Sequence, residues 1–173
     1  MDFQNIDYLK TGSEQQQKVH TVLANSEMLS LLQPFDPILI GTFPIGIAIG
    51  SSDLDIACHF SNHDEFVFQI IKCFGDLKGF SIKQTVISGQ NTTIANFEID
   101  GFPIEIFGQN IPVKLQNGYR HMVIENDILN QKGKDFRQQI ITLKKQGFKT
   151  EPAFAQLLGL SGDPYEALLH YIN

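Results

Sequence analysis

LIGTFPIGIAIGSSDLDIACHF, residues 39–60, decides how this chain is read. An apolar run breaks at Gly41-Thr42, passes through a loop bracketed by Gly46 and Gly50, and resumes as a second apolar run holding Asp53 and Asp55. A buried carboxylate costs several kcal/mol unless it is paired, so two of them one residue apart in a strand call for a cation. ILIGT (38–42) reads as a short buried strand and DLDIACHF (53–60) as the next one. Period-two parity places Leu54, Ile56, Cys58 and Phe60 on a core face, with Asp53, Asp55, Ala57 and His59 on the other.

Upstream, Ser13 and Gln16 stand at capping-box spacing ahead of Val19, Val22 and Leu23, which predicts an amino-terminal helix. Downstream, SNHDEFVFQIIKCFG (61–75) predicts a crossover helix, capped by Ser61 with Asp64 and buried along Phe66, Ile70 and Phe74. FSIKQTVIS (80–88) and TTIANFEI (92–99) alternate as strands do. Asp100-Gly101 suits a two-residue hairpin turn, setting Ile99 against Phe102, Glu98 against Pro103 and Asn96 against Glu105. Helical signals fill the remainder, near 118–131, 134–146, 152–159 and 164–172, with Pro152 behind Thr150 and Pro164 behind Asp163 as first-turn prolines. The expected fold class is α+β: a mixed sheet with an amino-terminal helix, one crossover helix and a helical carboxy-terminal cover. Its 173 residues suit one domain, with a core over 14–110 and the cover over 117–173.

Glu105 sits between apolar neighbours on the hairpin face opposite the greasy one, so its burial needs the same explanation as that of the two aspartates. Three oxygen donors meeting at a strand end suit Mg²⁺ or Mn²⁺, and two ions about 3.5–4 Å apart could share the aspartate pair. Glu98 shares that hairpin face and is the alternative third ligand. Gly41 allows close backbone approach to a phosphate and Thr42 offers a hydroxyl.

Apolar-Gly41-Thr42, ten intervening residues, Asp53-Leu54-Asp55-Ile56 and then Ile104-Glu105-Ile106 together resemble the signature of the polymerase-β-like nucleotidyltransferase superfamily. NGYRHMVIENDIL (117–129) and KTEPAFAQLLGLSGDPY (149–165) are also similar to an uncharacterised bacterial family placed in that superfamily by sequence. The resemblance implies a mixed twisted sheet of the nucleotidyltransferase type. It further implies that Asp53 and Asp55 ligate metal, that Glu105 binds the catalytic ion and helps deprotonate an acceptor hydroxyl, and that Gly41, Thr42 and Ser52 hold a nucleoside triphosphate. The reaction implied is transfer of a nucleoside monophosphate to a hydroxyl on a small molecule or protein. The loop FPIGIAIG (43–50) lacks the arginine common in minimal relatives, which turns attention to Arg120, His121 and Lys149 as phosphate-binding cations. That gap also favours the alternative of a catalytically silent nucleotide-binding module; a toxin-antitoxin component is the third reading.

A net charge of -6 argues against wrapping long nucleic acid, although eight of the thirteen Lys and Arg follow residue 110. Cys58 and Cys73 lack metal-ligand spacing and read as reduced packing residues. No signal-peptide pattern and no membrane-length apolar run is present, so a cytoplasmic location with no membrane partner is expected.

Overall fold

Five strands form one mixed sheet in the computed structural model, which describes residues 2–171. They are β1 (Ile38–Ile40), β2 (Leu54–His59), β3 (Ser81–Ile87), β4 (Gln90–Ile99) and β5 (Phe102–Gln109), in the order β1-β2-β5-β4-β3. β2 and β5 run parallel, and the other neighbours are antiparallel. This pairing brings β5, the last strand, in beside β2, the strand of the aspartates. The route between them passes through helix α3 (His63–Phe74) and the β3–β4–β5 meander.

The Asp100-Gly101 turn forms with positive φ at both residues (50° and 81°), as a two-residue hairpin connection requires. Its register is the expected one: Ile99 faces Phe102, Glu98 faces Pro103 and Asn96 faces Glu105. A slip of one residue would have moved Glu105 to the opposite face.

Helices cover one sheet face and the β1–β2 part of the other. Leu54, Ile56, Cys58, Ala95, Phe97, Ile104 and Ile106 pack with helices α1 (Glu14–Asn25) and α3, and with Met28 of the short α2 (Met28–Leu31). The reverse face, through Ile38, Ile40 and Ala57, meets α4 (Asn117–Lys145), α5 (Thr150–Leu158) and α6 (Pro164–Leu169). The Asp55 side of β2 is therefore a second core at Ala57 and turns polar toward both ends of the strand, at Asp55 and at His59.

Capping follows the side chains available. Ser13 and Gln16 complete the reciprocal box on α1. On α3 the cap is Asn62 rather than Ser61: its carboxamide oxygen accepts from the Asp64 and Glu65 amides, and the planar side chain reaches two orphan donors at once. On α5 the cap is Lys149, which makes no side-chain cap, so Thr150 lies inside the helix and Pro152 is its third residue. Asp163 caps α6 with Pro164 in its first turn. The helical segments near 118–131 and 134–146 meet within α4 at Gly133, whose φ of 79° and ψ of -164° break the helical path. The helix expected over 164–172 ends at Leu169; residue 172 lies outside the described residues. Among the described residues no helix is long and apolar enough to cross a membrane, and both cysteines are free.

Candidate active site

Register places Asp55 directly beside Glu105 across the parallel β2–β5 pair, hence on the same face. Asp53 immediately precedes β2 and lines the same cavity, which encloses about 720 Å³ between the sheet, the 41–53 loop and helices α4, α5 and α6. That size falls within the usual range for small-molecule sites, about 300–1,000 Å³.

The loop upstream is shaped by its glycines and held from outside. Gly41 adopts φ +76°, and a Cβ there would overlap Asp55 Oδ2, so only glycine lets the loop leave β1 so close to that carboxylate. Within the loop, the Thr42 hydroxyl donates to Ser52 Oγ at 3.4 Å and the Ile49 amide donates to the same oxygen at 3.0 Å. Both hydroxyls line the cavity. From outside, Gln16 Nε2 donates to the Phe43 and Pro44 carbonyls at 2.9 and 3.3 Å, while Arg137 Nη1 donates to the Ile45 and Gly46 carbonyls. The loop that carries no base of its own is thus pinned at its backbone by a base from α4.

Electrostatics mark the carboxylates as unbalanced. Burial, then the charges of Asp53 and Glu105, push the Asp55 carboxyl up to about 8. Burial and the Asp53 charge also raise Glu105, against a smaller opposing pull from Lys149. Neither acid forms a salt bridge, and neither side chain accepts a hydrogen bond, among the described residues. Two hard, partly buried, mutually repelling oxygen donors with a third acid at the strand mouth fit a divalent cation chemically. As the side chains stand, no three His, Cys, Asp or Glu groups among the described residues close around a common point.

The cations sort differently from the sequence-based expectation. Lys149 lines the cavity. Arg120 does not reach it: the side chain is exposed and donates to Asn117 Oδ1 at 3.1 Å, because its position on α4 faces solvent. His121 lines the cavity but its ring is engaged, with Nε2 at 3.0 Å from the Tyr165 carbonyl and Nδ1 at 3.6 Å from Glu151 Oε1. It ties α4 to α5 and α6. Glu98 is held elsewhere by Lys78, at 2.8 and 2.9 Å, and is absent from the cavity lining.

Sequence reasoning missed Lys144. It is 7% exposed, lines the cavity, and its ammonium forms no hydrogen bond or ion pair among the described residues. Burial pulls its amine down to about 8 against the opposing charges of Glu125, Asp55, Glu151 and Asp53. Glu125, 3% exposed, was missed as a lining residue too. The available signal was a charged residue on an apolar helical stripe: Lys144 follows buried Ile140 by four, and Glu125 lies three after Met122 and three before Ile128.

Comparison with known proteins agrees with this fold. The structure resembles Cid1 poly(U) polymerase with MgGTP bound, at a TM-score of 0.55 and 12% identity, covering 76% of this chain and 42% of that one. It also resembles the GLD-2/RNP-8 complex, at 0.54 and 15%, covering 88% and 60%. The chain thus spans about two fifths to three fifths of the length of these neighbours, and at such identities the likeness concerns the fold, that of nucleotidyltransferases. No curated protein matches it in sequence. One family does match, over residues 21–171, and the chain belongs to it: the family described as "Domain of unknown function (DUF4269)".

Proposed function

We propose that the protein is a metal-dependent nucleotidyltransferase that moves a nucleoside monophosphate from a nucleoside triphosphate to a hydroxyl acceptor. The observation that carries this reading is the in-register placement of Asp55 and Glu105 on adjacent parallel strands, with Asp53 at the mouth and the Gly41 loop against them. Residues 14–110 form the catalytic half and 117–173 the cover in this reading.

Asp53, Asp55 and Glu105 are the residues that would hold Mg²⁺ or Mn²⁺, which supplies charge neutralisation to the triphosphate when bound. Gly41, Thr42 and Ser52 meet the triphosphate through backbone and hydroxyls, while Lys144 and Lys149 supply the positive charge that the loop lacks. The acceptor oxygen attacks the α-phosphorus in line as the bond to the β-phosphate oxygen breaks. Pyrophosphate leaves with that electron pair. The hydroxyl proton passes to the Glu105 carboxylate, which stands beside Asp55 on the adjacent strand.

Calorimetry with a non-hydrolysable nucleoside triphosphate and Mn²⁺ tests the reading. Wild-type protein binds both together, and Asp53→Ala/Asp55→Ala loses the metal-dependent part. Binding that survives in the double variant, or no binding by the intact protein, refutes it.

A further inference from the structure

The cavity has a second wall that the nucleotide reading leaves without a role. Gln116 and Glu125, 2% and 3% exposed, both line it, and each keeps a side-chain oxygen, Oε1, that is buried and without a hydrogen-bond partner. The Gln116 amide nitrogen is already spent on the Cys58 and Ile111 carbonyls, both at 2.9 Å, which leaves only the acceptor free. Glu151, from α5, lines the same wall and among the described residues meets only the His121 ring, at 3.6 Å. Leaving a buried acceptor unmade costs about 1–3 kcal/mol each, so two in one cavity are a standing demand for a donor.

The donor demanded is of a particular kind. Both unpartnered buried atoms on the wall are acceptors, and the one ammonium near them, that of Lys144, also faces Asp55 and Asp53. An ammonium group has three donors and no acceptor, whereas a hydroxyl brings an acceptor along with its one donor. Net charge points the same way. Asp53, Glu105, Glu151 and Glu166 line the cavity against Lys144 and Lys149, even with Asp55 and Glu125 held toward the neutral form by burial. A triphosphate with two divalent ions adds about as much negative charge as positive, so the loaded site still favours a cation over an anion.

We infer that the wall formed by Gln116, Glu125 and Glu151 is the acceptor subsite, and that the acceptor is a small molecule carrying a protonated amine near the hydroxyl that attacks. This rests on the nucleotidyltransferase reading for the attack but not for the binding of the amine, which the wall alone provides. A polyanionic acceptor meets the wrong sign of charge here.

The test uses a matched pair: 1,3-diamino-2-propanol and glycerol, which share the central hydroxyl and differ in the two flanking groups. Binding to the full chain is followed by NMR shift titration in 0.15 M salt without nucleotide, with a short oligouridylate as the polyanionic control. The diamine binds at least tenfold more tightly than glycerol and shifts resonances in α4 and α5. Glu125→Gln and Glu151→Gln each weaken it by about tenfold, and the pair of variants guards against one that fails to fold. Equal binding of diamine and glycerol, diamine affinity unchanged in both folded variants, or oligouridylate displacing the diamine from this wall would each overturn the inference. Triphosphate and Mn²⁺ titrated into the wild type separate the two claims: an amine that binds while the nucleotide does not sinks the enzymatic reading and leaves the cation-binding wall standing.

Discussion

Asp55→Asn should make the metal-free protein more stable at neutral pH while removing its response to divalent ions. In the folded chain the Asp55 carboxyl is raised from 3.8 to about 8, chiefly by burial and then by Asp53 and Glu105. Because the folded value is the higher one, the folded chain holds a proton that the unfolded chain has already released between about pH 4 and pH 8. Stability therefore falls as pH rises through that window. At about 1.4 kcal/mol per pH unit, four units set a ceiling of about 6 kcal/mol. Water at the cavity mouth and ordinary salt reduce this to about 2–3 kcal/mol. For a chain of this size that corresponds to roughly 5–10 °C in Tm. Lys144 does not confuse the window: its amine is lowered to about 8, so its cost is constant below that pH and is relieved only between about pH 8 and 10.5. Glu105 and Glu125, also raised, contribute slope of the same sign to both proteins and largely cancel in the comparison. Melting curves at pH 4.5 and 7.5 should show the variant equal to wild type at the lower pH and roughly 5–10 °C higher at the upper. Saturating Mn²⁺ should raise only the wild type at pH 7.5. A difference between the two proteins that does not change with pH, or a variant less stable at pH 7.5 without metal, would refute the reasoning.

Three further outcomes follow from the same geometry. Gly41→Ala places a Cβ against Asp55 Oδ2 at φ +76°, costing about 1–2 kcal/mol of backbone strain and displacing the carboxylate; calorimetry should show Mn²⁺-triphosphate affinity down at least tenfold, and full affinity would show the contact to be incidental. Lys144→Met should weaken triphosphate binding about tenfold, or about 1.4 kcal/mol, without touching the loop, and unchanged affinity would remove Lys144 from the phosphate site. Gln16→Ala combined with Arg137→Ala deletes the side-chain donors that hold the 43–46 carbonyls, each worth about 1 kcal/mol; amide hydrogen exchange should speed up several-fold across 43–50 and not in β4 or β5, and a uniform increase would mean the whole fold had loosened instead.

Local chemistry made much of this legible in the linear chain. The β4–β5 register needed only the Asp100-Gly101 turn and alternating residues, because a two-residue turn leaves one pairing open. The same alternation set Asp53 and Asp55 opposite Leu54 and Ile56, and the Ser13 cap of α1 and the break before Lys134 depend on side chains within a few residues. What tertiary structure alone decided is which distant pieces meet. The seating of β5 beside β2, which pairs Asp55 with Glu105, depends on the packing of α3 and a three-strand meander. Helix rotation likewise decided that Arg120 faces water while Lys144 and Glu125 face the carboxylates. A helix presents its residues about 100° apart, so the side on which a charge falls depends on what covers the other sides, and that covering comes from β1, α5 and α6 rather than from the helix itself.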